Sequence, residues 1–225
     1  MFREIEIDDL SEYVDENTTI VIDADGLAFK PATILDENFI IVKHKPSGAE
    51  KELKNITEFK GQTKAVAANS WLGTLNQKRI IKGEDPYTLE EFEVIPSQRP
   101  KLPLKVATQN IDAHIKAILD HTGCSKYLMV MGSGKNKRHE LPLPEQYKSN
   151  RDGTLSPLSL KECRNYLKDN YPTEVVKGIE ADEVISMYAW LGYQDYLKTG
   201  KFSYIVSSND KDATQSAGIL FKLVS

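Results

Sequence analysis

The chain has 225 residues, 40% hydrophobic and 28% charged, with only 10 Pro and 13 Gly, so it can bury a substantial core and is neither a disordered nor a fibrous repeat sequence. Its formal net charge of −4 excludes a uniformly basic, nucleic-acid-coating surface, although the run from Gly134 to Arg151 carries five Lys or Arg against two Glu. The start, MFREIEIDDLSEYVDENTT, lacks the positive and apolar regions of a secretory signal, and no apolar run approaches the roughly 18 residues of a membrane span, so a cytoplasmic protein without a membrane partner is expected.

Thr18 to Asp23, TTIVID, is β-branched and apolar without alternation, as expected of a strand buried on both faces, and DADG after it reads as a turn. Phe39 to Ile56 reads as two strands about a Pro46-Ser47-Gly48 turn. Between Thr57 and Pro103 only a short helix around Ala65 to Ile80 stands out, and residues 31 to 104 are taken as an insertion containing the hairpin. From Lys105, the spacing of Ile111, Ile115, Ile118 and Leu119 predicts a helix stopped by Gly123. Tyr127 to Met131 then forms a buried strand. GSGKNK, Gly132 to Lys137, lacks the spacing of a phosphate-binding loop and is read as a flexible basic loop.

Ser156-Pro157 supplies an expected N-cap and first helical position for a helix burying Leu160, Cys163, Tyr166 and Leu167, closed by Pro172. A strand at Thr173 to Lys177 leads through Gly178 into a helix from Glu180 to Leu197 with an apolar face of Ala181, Val184, Ile185 and Tyr188. Phe202 to Ser208 and Gly218 to Val224 complete the strands. This alternation predicts an α/β fold: one domain over residues 1–225, with a central, mostly parallel sheet of about five strands, helices on both faces, and the hairpin insertion. The cysteines, Cys124 and Cys163, have no metal-site spacing and are expected to be reduced core residues, and the four histidines share no ligand spacing.

In parallel sheets the functional crevice lies beyond the carboxyl ends of the strands. Asp23 and Asp25 follow the first strand, Glu180, Asp182 and Glu183 follow the strand at 173–177, and Asp210 and Asp212 follow the strand at 202–208. Any one of these is a common turn or helix-cap residue. Together, carboxylates converging on one edge would repel and some would protonate unless a cation intervened. Oxygen ligands in a shallow site favour magnesium over zinc.

VIDADGLAFK, QYKSNRD, GIEADEVI and SSNDKDATQ stand in the order of the motifs of the flap endonuclease and 5′–3′ exonuclease superfamily. The chain resembles this family, above all its bacteriophage members, most strongly over residues 127–215 and not over 31–104. The resemblance implies a PIN-like 5′-nuclease domain with Asp23, Glu180, Asp182, Glu183, Asp210 and Asp212 as metal-binding acids. It implies two Mg2+ ions, with Mn2+ as a substitute. Tyr147, Lys148 and Arg151 match arch residues that contact the scissile phosphate region, the two cations stabilising phosphate charge and Tyr147 stacking. The implied substrates are DNA with 5′ ends or flaps, or an RNA–DNA hybrid, cleaved in replication, primer removal or recombination in a phage-infected bacterial cytoplasm alongside a replication partner. Two features depart from the family pattern: Met131-Gly132-Ser133-Gly134 follows the central strand where relatives carry another acid, with Ser133 at that position, and the helix–three-turn–helix element that grips duplex DNA is expected to be absent. These departures keep two alternatives in view: a nucleic-acid-binding module without useful catalysis, and a PIN-type ribonuclease.

Overall fold

The TIVID strand alternates between two cores, and that alternation organises the chain. The computed structural model describes residues 6–136, 155–210 and 217–222. In chain order its elements are β1 (Thr19–Asp23), α1 (Ala24–Thr33), β2 (Asp36–His44), β3 (Glu50–Leu53), α2 (Ile56–Lys60), α3 (Trp71–Ile81), β4 (Phe92–Pro100), α4 (Leu104–Thr122), β5 (Lys126–Asn136), α5 (Leu160–Asn170), β6 (Thr173–Gly178), α6 (Ala181–Thr199), β7 (Tyr204–Ser207) and β8 (Leu220–Phe221). The fold is α/β, and the chain divides into two compact units. One gathers the chain up to Leu35, from Leu102 and from Ser159 onward; the other contains Asp36–Lys101 and the described part of Gly153–Leu158.

In the first unit the strands form one sheet in the order β6-β5-β1-β7-β8, and every neighbouring pair is parallel. Successive strand residues point to opposite faces. Ile20 and Ile22, Met129 and Met131, and Ile205 accordingly join one core with Ala28 of α1, Ile111 and Ile115 of α4, and Cys163 and Leu167 of α5. Val21, Val130, Val176 and Val206 face the other way, onto Ala181, Val184, Ile185 and Ala189 of α6. Helices therefore cover both faces, three on one and α6 on the other. Both cysteines are buried and neither forms a disulfide. No helix among the described residues is long and apolar enough to cross a membrane.

The second unit is a three-stranded antiparallel sheet, β3-β2-β4. Gly48, at φ 71°, closes the β2–β3 hairpin, and its N–H donates to the His44 carbonyl at 2.8 Å. Phe92 sits among His44, Phe59, Trp71 and Tyr87 with ring centroids 5.0 to 6.0 Å away, and Val42, Leu53 and Leu72 complete that core.

Several local expectations are corrected. DADG is not a turn: Asp23 caps α1, which runs on through Pro31, so the second unit starts at Asp36 rather than residue 31. The helix expected at 65–80 starts at Trp71, because the Ser70 side chain caps it by accepting from the Gly73 N–H at 3.1 Å. Strand β4 has no clear signal in the sequence because Pro96 and Pro100 interrupt it; as an edge strand it tolerates residues without an N–H donor. Gly132 to Asn136 is not a loop but a continuation of β5. Gly134, at φ 86°, lies where the pairing with β6 shifts register before resuming at Asn136–Gly178. Ser156-Pro157 does not cap α5, whose N-cap is Ser159, and among the described residues the last strand covers Leu220–Phe221, Leu223 and Val224 lying outside them.

Helix α6 can approach the sheet closely because residue 192 is Gly. A Cβ there would lie 2.0 Å from the Tyr204 carbonyl oxygen, a backbone atom of β7. Gly192→Ala should therefore lower stability by about 1–3 kcal/mol, measured as a drop in the urea midpoint. An unchanged midpoint would show that α6 does not depend on this contact.

Candidate functional site

The chain visits β1, β5 and β6 on one side of the sheet before crossing to β7 and β8 on the other. The order therefore reverses between β1 and β7, where an open parallel sheet leaves a crevice at its carboxyl edge. Asp23, the last residue of β1, stands at that point.

Asp23 is held from two sides. Its Oδ1 accepts the Asp25 and Gly26 backbone N–H groups at 3.0 and 3.3 Å, which caps α1. Its Oδ2 accepts the Ser208 hydroxyl at 3.2 Å, and Ser208 Oγ accepts the Asp210 N–H at 3.1 Å. This chain of hydrogen bonds ties the end of β1 to the backbone of Asp210 beyond β7. Burial pushes the Asp23 carboxyl above its ordinary range, and the nearby Asp25 charge adds to that; the hydrogen bonds from Gly26, Ser208 and Asp25 pull in the opposite direction. A carboxylate offers about four acceptor sites, and the described residues fill three of them here. The remaining one is an oxygen donor of the kind magnesium takes.

Asp25 has a different task. Its Oδ1 meets Arg164 Nη1 of α5 at 2.7 Å, and its Oδ2 accepts the Gly132 N–H of β5 at 2.9 Å. Arg164 Nη2 also donates to the Gly132 carbonyl oxygen. Asp25, Arg164 and Gly132 thus fasten the start of α1 to the end of β5 and to α5. A side chain at 132 would crowd this fastening: a Cβ would lie 3.1 Å from Asp25 Oδ2, which would have to shift by a few tenths of an ångström, and at an ordinary contact distance of 4.0 Å from the Cβ of Ala181. The same spacing places the first turn of α6 beside the ends of β5 and α1.

The remaining candidates are distributed along this edge. Glu180 is the half-buried N-cap residue of α6, with Asp182 exposed and Glu183 half-buried in the first turn, where negative charge also complements the helix dipole. Asp210 is exposed, two residues beyond Ser208. Asp212, Tyr147, Lys148 and Arg151 lie outside the described residues. Among the described residues, no three His, Cys, Asp or Glu side chains form a ready-made metal cluster. Ser133, which stands at the position of the family's additional acid, is exposed on β5.

Arg164 and Ser208 were not among the candidates read from the sequence. Ser208 lies in the SSND segment just after its strand, so its position was a usable signal. Arg164 carried none, since it sits next to Cys163 in a helix read for its buried stripe. The chain matches no family model, no curated protein and no solved structure.

Because the folded-state pKa of Asp23 stands above its unfolded value, the metal-free folded chain holds this proton more tightly than the unfolded chain does. This group's effect is therefore to lower stability as pH rises from about 4 through its raised range. Asparagine also caps helices and carries no charge. In chelator, Asp23→Asn should match the unaltered chain at low pH and exceed its urea midpoint at neutral pH. A difference between the two that does not change with pH would contradict a raised Asp23 carboxyl.

Proposed function

We propose that this chain is a metal-dependent phosphodiester hydrolase of the 5′-nuclease superfamily, working as a 5′–3′ exonuclease or flap endonuclease on DNA with 5′ ends or flaps. The observation that supports it most is Asp23, a half-buried carboxylate at the switch point of a parallel sheet, linked through Ser208 to Asp210.

Asp23 with Glu180, Asp182, Glu183, Asp210 and Asp212 would hold Mg2+ or Mn2+ as oxygen donors. The metal, when bound, supplies a deprotonated water at neutral pH and stabilises charge on the attacking and leaving oxygens. Ser208 orients the Asp23 carboxylate by donating to its Oδ2. Arg164 neutralises Asp25, so that less negative charge has to be balanced at the edge. Lys148 and Arg151 carry the positive charge that would receive the phosphate, and Tyr147 the ring that would stack on a base or sugar. RNA–DNA hybrids, a replication partner and a phage-infected cytoplasm belong to the same reading.

Ser133, exposed on β5 at the position where relatives carry an acid, favours a second reading: nucleic-acid binding with weak or no cleavage. One assay separates the two. A 5′-labelled flap DNA and a matching single-stranded RNA are incubated with magnesium, manganese or chelator. The nuclease reading expects metal-dependent flap cleavage that falls by about a hundredfold or more in Asp23→Asn and in Asp210→Asn. Salt-sensitive binding without cleavage under either metal leaves the binding module. Preferential cutting of the RNA points instead to a PIN-type ribonuclease.

A further inference from the structure

Helix α6 buries Ala181, Val184, Ile185, Ala189 and Gly192 beneath the sheet. Its opposite side, which should be polar in a water-facing helix, carries Met187 at 59% exposure, Trp190 at 49%, Leu191 at 47% and Leu197 at 60%. With about 100° between successive residues, these four fall together with Glu183, Gln194 and Lys198 inside a sector of roughly 120°. The Trp190 ring lies 5.9 Å from that of Tyr193, which backs it on the same helix.

We propose that this face of α6 packs against the same face of a second copy of the chain, antiparallel and about a two-fold axis. The order of residues along the stripe supports a second copy rather than an unrelated partner. An axis passing between Trp190 and Leu191 sets Trp190 of one copy opposite Leu191 of the other, and Met187 opposite Gln194. The same axis sets Glu183 opposite Lys198, so the negative end of the stripe meets the positive end twice. Such self-complementarity is what a two-fold interface requires. Antiparallel helices also oppose their dipoles. Lys198 is 69% exposed in its side chain and lies 3.7 Å from Asp195 of its own helix, a solvated pair of small worth. Trp190 would be the central anchor, since tryptophan at the middle of an apolar patch dominates many interfaces. The pairing does not rest on the nuclease reading, and its test reads mass rather than cleavage.

The test is the solution mass of the full chain by sedimentation across the micromolar range in chelator. The expected result is a mass that rises from 25.4 kDa toward twice that value. Trp190→Glu should hold the chain at monomer mass, and Leu191→Lys gives the same readout should the first variant not fold. Glu183→Lys and Lys198→Glu should each weaken association by about tenfold, because each puts like charges opposite one another. Both changes in one chain should restore it, since a two-fold pairing then exchanges the signs on both sides. A monomer at every concentration, a dimer insensitive to Trp190→Glu or Leu191→Lys, or a double variant that stays weak would overturn the proposal.

Discussion

A carboxylate at the end of the central strand of a parallel sheet is awkward to bury, and the first unit is arranged around that difficulty. Asp23 leaves β1 between two covered faces, where water is scarce, and its charged form is disfavoured. The structure satisfies it from both flanks. The first turn of α1 supplies two N–H groups, and Ser208 from the neighbouring strand end supplies a hydroxyl. The Ser208 contact needs β1 and β7 to run parallel and side by side, so that their carboxyl ends reach the same edge. Site geometry and sheet topology therefore depend on each other.

Asp25 shows how a second acid two residues away is prevented from compounding the problem. The Arg164 guanidinium pairs with it, and both groups also bond the backbone of Gly132, one the N–H and the other the carbonyl. A guanidinium suits this place because its planar fork can serve two acceptors at once. The consequence for the edge is steric. A side chain at 132 would have to push the Asp25 carboxylate aside by a few tenths of an ångström, and with Ser133 rather than an acid next to it, any metal held here would have to depend on the acids around α6 and beyond β7.

Helix α6 has two roles along its length. Its first turn brings Glu180, Asp182 and Glu183 to the carboxyl edge, while Gly192 lets its middle lie against the β7 backbone. A helix packed that tightly on one side has little freedom to rotate and hide the apolar residues on its other side. Met187, Trp190, Leu191 and Leu197 consequently remain outside, and pairing with a second copy would remove them from water.

Much of the α/β architecture was legible in the amino-acid sequence, because apolar periodicity is a local property. The run TTIVID could only be a strand buried on both sides, the spacing of Ile111, Ile115 and Ile118 marks α4, and Gly123 ends that helix in the left-handed conformation at φ 67°. Acids after three strands were equally visible, because strand ends follow from the same pattern. What the sequence could not specify depends on contacts between distant residues. Whether Asp25 faces the crevice or an arginine depends on Arg164, which lies 139 positions away in the chain. Strand β4 with its two prolines is a strand only because β2 pairs with it, and that pairing supplies the hydrogen bonds its own residues do not advertise. Local propensity thus determined the elements, and only the tertiary structure decided which of the acids at their ends are held by partners and how.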